Sequence, residues 1–491
     1  MKRLITILGM LIFLCACSND LKIVGTSDHC LEIFPDYKDV IIPVNIAPMN
    51  FEILSSEPDA EYALMISASD ETYVVKADDG LVSFGMRFWR RLLEKNAGQS
   101  IVFTICEKKK AGWYESPSFT MTPVKDEVDP YIAYRLIPPG YTMWSEMGIY
   151  QRSLETYRQS LIYSNLQGRG NCVNCHSFPN RDADKMLFHL RSELGGTYVM
   201  DNGQIEKLNT KTEHTMSPLV YPYWHPSEKY IAFTVNITNE VVHTKNPNRV
   251  EVLDEASDVV VYDVDNHKIV TTDLLSSEEA FETFPTFSPD GRSLYFCSAD
   301  AVGPMPEKFR EAKYSLCRID YDPADCSFGD KVDTLYNARK EGRSVSFPRI
   351  SPDGRLLIFA LSDYGNFSLW HKESDLYCAD LQSGEIICLD ALNSDDAESY
   401  HSWSGNSRWL VFSTRRDDGL YTKPYFSYID ESGNAHKPFL LPQKDPKAYY
   451  DAQMYAYNIP EFVDGKVKVR GSEVAAFAKK DDGIQVGFIK K

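Results

Sequence analysis

The most constraining feature of the sequence is a unit that recurs four times in its C-terminal two-thirds. The copies are "YPYWHPSEKYIAFTVN" from Tyr221, "FPTFSPDGRSLYFCSAD" from Phe284, "FPRISPDGRLLIFALSD" from Phe347 and "YHSWSGNSRWLVFSTRR" from Tyr400. Each runs from an aromatic residue through a polar turn into an alternating strand. The interval of about fifty to sixty residues is that of one four-stranded propeller blade with its loops. The turns are chemically intelligible. In Ser288-Pro289-Asp290-Gly291 and Ser351-Pro352-Asp353-Gly354, Pro pre-sets φ, Asp bonds its own backbone and Gly takes a positive φ. Two such aspartates invite comparison with a paired-carboxylate site, but a place inside a hairpin turn makes them structural.

A weaker element follows the first three copies: "SDVVVYDVDNHKIVTTD" from Ser257, "YSLCRIDYD" from Tyr314 and "SDLYCADLQSGEIICLD" from Ser374. Strand, Asp-led turn and return strand make the outer hairpin of a blade. Together the elements resemble the TolB-like (WD40-like) family of propeller repeats over about residues 217–442. That resemblance implies architecture and says little about activity, because propellers host enzymes, receptors and scaffolds alike. A degenerate fifth copy begins at Cys175-His176-Ser177-Phe178, with Phe178 in the place of Trp224 and Phe188 in that of Phe233. "DAQMYAYNIPEFVDGKVKV" near the C-terminus, closed by a strand from before Cys172, supplies the remaining blade. The expectation is an all-β protein with a six-bladed propeller over 172–491.

Residues 21–129 lack the unit but alternate as strands: "DVIIPVNIAPMNFEIL", "EYALMISAS", "TYVVKA", "SIVFTICEKK" and "SFTMTPV". They are expected to form an immunoglobulin-like β-sandwich domain. "MRFWRRLLEKNAG", Met86 to Gly98, reads as one amphipathic helix closed by glycine. Residues 130–171 read as a connector with a short helix around Ser153 to Tyr163.

Residues 1–17 read as a lipoprotein signal peptide. Lys2 and Arg3 precede an apolar run from Leu4 to Leu14, which is too short to span a bilayer. Leu14-Cys15-Ala16-Cys17 resembles a bacterial lipobox, with Cys17 as the lipidated residue. This implies a lipid-anchored protein of the cell envelope, in the outer membrane and facing the periplasm or the surface; Ser18-Asn19-Asp20 does not argue for inner-membrane retention. A net charge of −18 with no basic stripe excludes a nucleic-acid partner. A protein or glycan partner on the propeller face is expected instead.

One constellation carries chemistry. Cys172-Val173-Asn174-Cys175-His176 matches the haem c attachment motif, in which two thiols hold the haem vinyls and the adjacent imidazole lies beneath the iron. Haem c is the cofactor this implies, for electron transfer or redox sensing. Three alternatives stand beside it: a small disulfide ring, a zinc site using His176, or a relic. Alignment of the copies puts His176 at the position of Pro222, Pro285, Pro348 and His401, near the central channel. His401 is therefore one candidate sixth ligand and Met216 another, with Met186, Met200 and His189 as further rivals. No Gly-x-Ser-x-Gly, phosphate-binding glycine loop or His-Glu-x-x-His occurs, so no catalytic residue is assigned. The lipobox, sandwich, "NCVNCHSF" and repeats together resemble lipoproteins typical of Bacteroidota-like bacteria, which implies a binding or scaffold role. The rival reading is a protein- or glycan-binding propeller lipoprotein without haem.

Overall fold

The computed structural model describes residues 21–54, 60–139, 146–480 and 482–491. The signal segment with Cys15 and Cys17 lies outside the described residues. Strands dominate, and the chain divides into an N-terminal sandwich and a six-bladed β-propeller.

The sandwich pairs a seven-stranded sheet with a three-stranded one. Its strands alternate burial as the sequence requires; Phe119–Val124, for example, buries every second residue. Phe51 of the small sheet meets Phe119 of the large one edge-to-face, with ring centroids 6.1 Å apart. The expected helix spans Met86–Lys95 and buries Trp89, Leu92 and Leu93, the stripe that a 3.6-residue period dictates. The large sheet also contains two parallel pairings, Ile23–Thr26 with Gly112–Glu115 and Phe119–Val124 with Val40–Pro43.

Each blade is a four-stranded antiparallel sheet, and its inner strand faces the axis. The inner strands are Ala456–Val463, Val173–Ser177, Val220–Trp224, Ala280–Phe287, Ser344–Ile350 and Glu398–Trp403, for blades 1 to 6. Each neighbours the next, and the sixth returns to the first, so the ring is closed. Closure comes from both ends of the chain. The C-terminal strand Ala456–Val463 pairs antiparallel with Tyr131–Ile137, which continues into Gly148–Ser153 and Gln159–Ser164.

This corrects the reading of 130–171 as a connector. Those residues supply three strands of blade 1, and Gln159–Ser164 is a strand where a helix was expected. The propeller therefore begins at Tyr131, and the Cys-x-x-Cys-His segment lies in the second blade. The hallmark of the repeat sits on the inner strand, which in blade 1 arrives some 300 residues later. Its outer three strands consequently carry no signature of their own.

The last residues brace two outer edges. Ile484–Gln485 adds a parallel strand to Gln204–Asn209 of blade 2, and Gly487–Lys490 one to Lys268–Thr271 of blade 3. Covering edges in this way removes open templates for intermolecular pairing. The sandwich leans on blade 6 and the segment after it. Tyr37 Oη donates to Leu440 O at 3.1 Å, Asn50 Nδ2 to Lys444 O at 2.8 Å and Trp409 Nε1 to Asp126 O at 2.7 Å.

Candidate functional site: the axial mouth

The four residues that open each copy take four distinct positions at the axis. The first positions are Ile459, Cys175, Tyr221, Phe284, Phe347 and Tyr400, going round from blade 1. Five of them hold a positive φ of 50 to 54° without being glycine: Cys175, Tyr221, Phe284, Phe347 and Ile459. At the same place the pairing of inner and second strand slips, for instance between Val220 and Tyr223 and between Ser346 and Arg349. This is a β-bulge, which bends the strand and re-aims its side chains. It recurs in every blade because each inner strand must turn its first position onto the axis.

There the first positions form a plug. Tyr221 and Phe284 lie 4.5 Å apart between ring centroids, Phe284 and Phe347 4.6 Å, and Phe347 and Tyr400 4.2 Å. Cys175 and Ile459 complete the ring. A cavity of only about 20 Å³ remains, lined by Cys175, His176, Tyr221, Phe284, Tyr400 and Ile459 among others.

The second positions are Pro460, His176, Pro222, Pro285, Pro348 and His401. The alignment made from sequence thus places His176 correctly, and its environment decides what it can do. It is 2% exposed and lies against the backbone of Ala133 and Ile459, and neither ring nitrogen closes a hydrogen bond of ordinary geometry. Burial, with the Arg135 charge adding to it, pulls its pKa down to about 3, so the ring is neutral. Burial also raises the Cys175 thiol, which keeps it protonated and unreactive.

Haem does not fit these residues. A covalently held haem needs a cavity on the order of 500 Å³, and the space at Cys175 and His176 holds about 20 Å³. The candidate sixth ligands are also placed elsewhere or engaged. His401 has Nδ1 3.0 Å from Ser399 O and Nε2 3.0 Å from Ile358 O. Met216 packs on the cluster of Leu187, Leu219 and Trp224. Met186 and Met200 face each other across two strands of blade 2, and His189 Nδ1 is 2.9 Å from Thr197 Oγ1. All nine described cysteines are free, Cys172 and Cys175 included, so the disulfide ring is absent. Among the described residues no group of His, Cys, Asp and Glu is arranged to hold a metal. The turn aspartates are structural as expected: Asp290 Oδ1 accepts from Ser288 Oγ and Arg292 N, and Asp353 Oδ1 from Ser351 Oγ and Arg355 N.

Two residues beyond the plug the character changes. The third positions are Glu461, Ser177, Tyr223, Thr286, Arg349 and Ser402, all but one polar or charged. All but Thr286 line a cavity of about 310 Å³ that opens at the face bearing the Ser-Pro-Asp-Gly turns. Fourth positions, chiefly Phe178, Trp224, Phe287, Trp403 and Phe462, back them and pack between blades. Arg349 stacks its guanidinium 5.1 Å from the Tyr223 ring centroid and donates to Pro348 O at 2.9 Å. Glu461 is the acidic residue of the mouth. Burial pushes its carboxyl up to about 8 against the pull of Arg349, and its Oε2 is buried with no hydrogen-bond partner. Arg181 stands at the rim, 3.8 Å from Asp129 Oδ2, which also accepts from Gly405 N at 2.7 Å. The segment joining sandwich to propeller thus forms part of that rim. Sequence reading missed Arg349 and Glu461. The available signal was the third position of the aligned copies, where residue type varies while its neighbours stay apolar.

Fold and site together define a closed six-bladed β-propeller with a plugged axis and a polar mouth. No family model matches the chain, and no curated protein matches it. Among solved structures it is similar to the tricorn protease (TM-score 0.36, 12% identity, 82% of this chain and 43% of that one). It is also similar to the β-propeller domain of the Trilobed protease from Pyrococcus furiosus (0.32, 13%, 77% and 96%). A DUF4784 family protein from Bacteroides caccae is similar as well (0.30, 6%, 73% and 95%). The chain spans less than half of the tricorn protease.

Proposed function

We propose that this protein is a binding module of the cell envelope whose axial mouth takes the carboxylate-bearing end of a peptide segment from a protein partner. The observation that carries this is the mouth itself: about 310 Å³, lined by Arg349 and Glu461 from the same third position of blades 5 and 1. An Arg guanidinium matches a carboxylate in shape as well as charge. A Glu461 carboxyl kept neutral by burial donates to such a ligand instead of repelling it. Ser177 and Ser402 supply further hydroxyls. A peptide is favoured over a glycan because Trp224 and Trp403, each 5% exposed, are used in packing between blades and present no flat ring to a sugar.

Fluorescence polarisation with a random peptide pool bearing free C-terminal carboxylates, against the same pool amidated, tests this. The carboxylate pool should bind, and Arg349→Ala should weaken it about tenfold or more, as loss of a charge-assisted pair does. Equal binding of the two pools, or an Arg349→Ala variant that binds like the parent, would overturn the reading.

The location rests on the N-terminal segment. Lys2, Arg3, the apolar run and Leu14-Cys15-Ala16-Cys17 support export and anchoring of the outer-membrane kind through lipid on Cys17. Among the described residues no helix is long and apolar enough to cross a membrane. Cys17→Ser should move the protein from the membrane to the soluble fraction and abolish labelling by a palmitate analogue.

A further inference from the structure

A second cavity, of about 450 Å³, lies between blades 2 and 3 at the other end of the inner strands. Its lining includes Leu190, which pairs with Val173, and Val220, which pairs with Thr234; the mouth takes Ser177 and Trp224 from the opposite ends of the same strands. We propose that this cavity is a separate binding site for a small carboxylate with an apolar body, such as a medium-chain fatty acid or an arylalkanoate.

Charge is the first argument. The chain carries 70 acidic against 52 basic side chains, yet this lining contains Arg191 and Lys211 and no carboxylate. A cationic rim on an acidic protein concentrates a small anion where the rest of the surface repels it. The second argument is the floor, where Leu190 is 3% exposed, Leu219 1% and Val220 9%. These offer an apolar ligand body a dry wall below the charged rim, the usual division of labour in small-molecule pockets. The third is His189, which also lines the cavity at 4% exposure. Its Nδ1 lies 2.9 Å from Thr197 Oγ1, and Nε2 has no hydrogen-bond partner among the described residues. A buried polar nitrogen left unpaired is costly, and a polar ligand atom entering the cavity would satisfy it. Burial keeps this imidazole neutral, so it offers the cavity a hydrogen bond and not a positive charge.

Isothermal titration of the full chain with octanoate, 4-phenylbutanoate and octanamide tests the site. One saturable site is expected for at least one of the two carboxylates. Octanamide should bind roughly tenfold more weakly or worse, since it lacks the charge that Arg191 and Lys211 read. Both cations are exposed, so Arg191→Ala combined with Lys211→Ala should fold normally and weaken the carboxylate by about the same factor. Arg349→Ala, at the mouth, should leave this binding unchanged, which separates failure here from failure of the peptide reading. Absence of saturable binding by both carboxylates, equal affinity for the amide, or loss of binding in Arg349→Ala would overturn the proposal.

Discussion

The plug and the mouth are built from the same six strands, two residues apart, and they use opposite chemistry. At the first positions four of six residues are aromatic, and they leave about 20 Å³. At the third positions the residues are Glu, Ser, Tyr, Thr, Arg and Ser, and about 310 Å³ stays open. Both sets reach the axial side of the strand, the first through its β-bulge, so the difference in chemistry does not come from where the backbone places them. It comes from demand: packing asks every blade for the same thing, whereas recognition asks each blade for something different. Internal repetition therefore marks the structural ring, and its breakdown marks the site.

Substitutions in the plug should cost most. Phe284, 3% exposed and in tilted ring contact with both Tyr221 and Phe347, should lose about 3–5 kcal/mol on Phe284→Ala, read from urea unfolding. The matching change at a third position, Ser402→Ala, should cost well under half of that. If the two cost the same, the contrast between plug and mouth fails.

Gly291 comes next and concerns how blades abut. Its φ is +70°, and a Cβ there would stand 2.2 Å from His225 Nε2 of the preceding blade, which now lies 2.9 Å from Gly291 O. Gly291→Ala should destabilise by about 1–3 kcal/mol through backbone strain and the broken contact. The turn glycine Gly354 has a similar φ of +76° but no neighbour nearer than 4.0 Å. Its alanine variant should suffer from strain alone.

The sequence made this architecture legible because the repeated turns have only one economical use. It also put His176 at the axis, since position in the copies is a geometric statement. What it did not reveal follows from where information is stored. Blade 1 shares its hallmark strand with the far end of the chain, so Tyr131–Ser164 looked like a connector. Cys-x-x-Cys-His looked like cofactor chemistry because its spacing is local, while its meaning is set by neighbours from other blades. Cys175 occupies a plug position and His176 a proline position. Arg349 and Glu461 are more than a hundred residues apart and gain significance only when the ring closes.

The acid in the mouth should give the contrast a pH signature. The Glu461 carboxyl is raised from 4.5 to about 8 in the fold, so between those values the native state holds a proton that the unfolded chain has released. Stability then falls as pH rises across that window. The histidine beside the plug acts oppositely: with His176 lowered from 6.5 to about 3, the unfolded chain takes up the extra proton, and stability falls as pH drops below 6.5. Glu461→Gln should melt like the parent near pH 4 and higher than the parent near pH 8. A constant offset across that range would show that the carboxyl is not held neutral in the mouth.

The smallest expected effect is the most discriminating for the plug. Proline fills the second position in blades 1, 3, 4 and 5, so that slot accepts a ring without a backbone N–H. His176→Pro should therefore change stability by no more than about 1 kcal/mol, and the protein should show no covalent haem when produced alongside a cytochrome c maturation system. If His176 instead serves a cofactor, the parent will show a Soret band that survives acid-acetone extraction and the variant will lose it. The two outcomes assign the same imidazole to packing or to chemistry, and only the first is compatible with an axis plugged by aromatic rings.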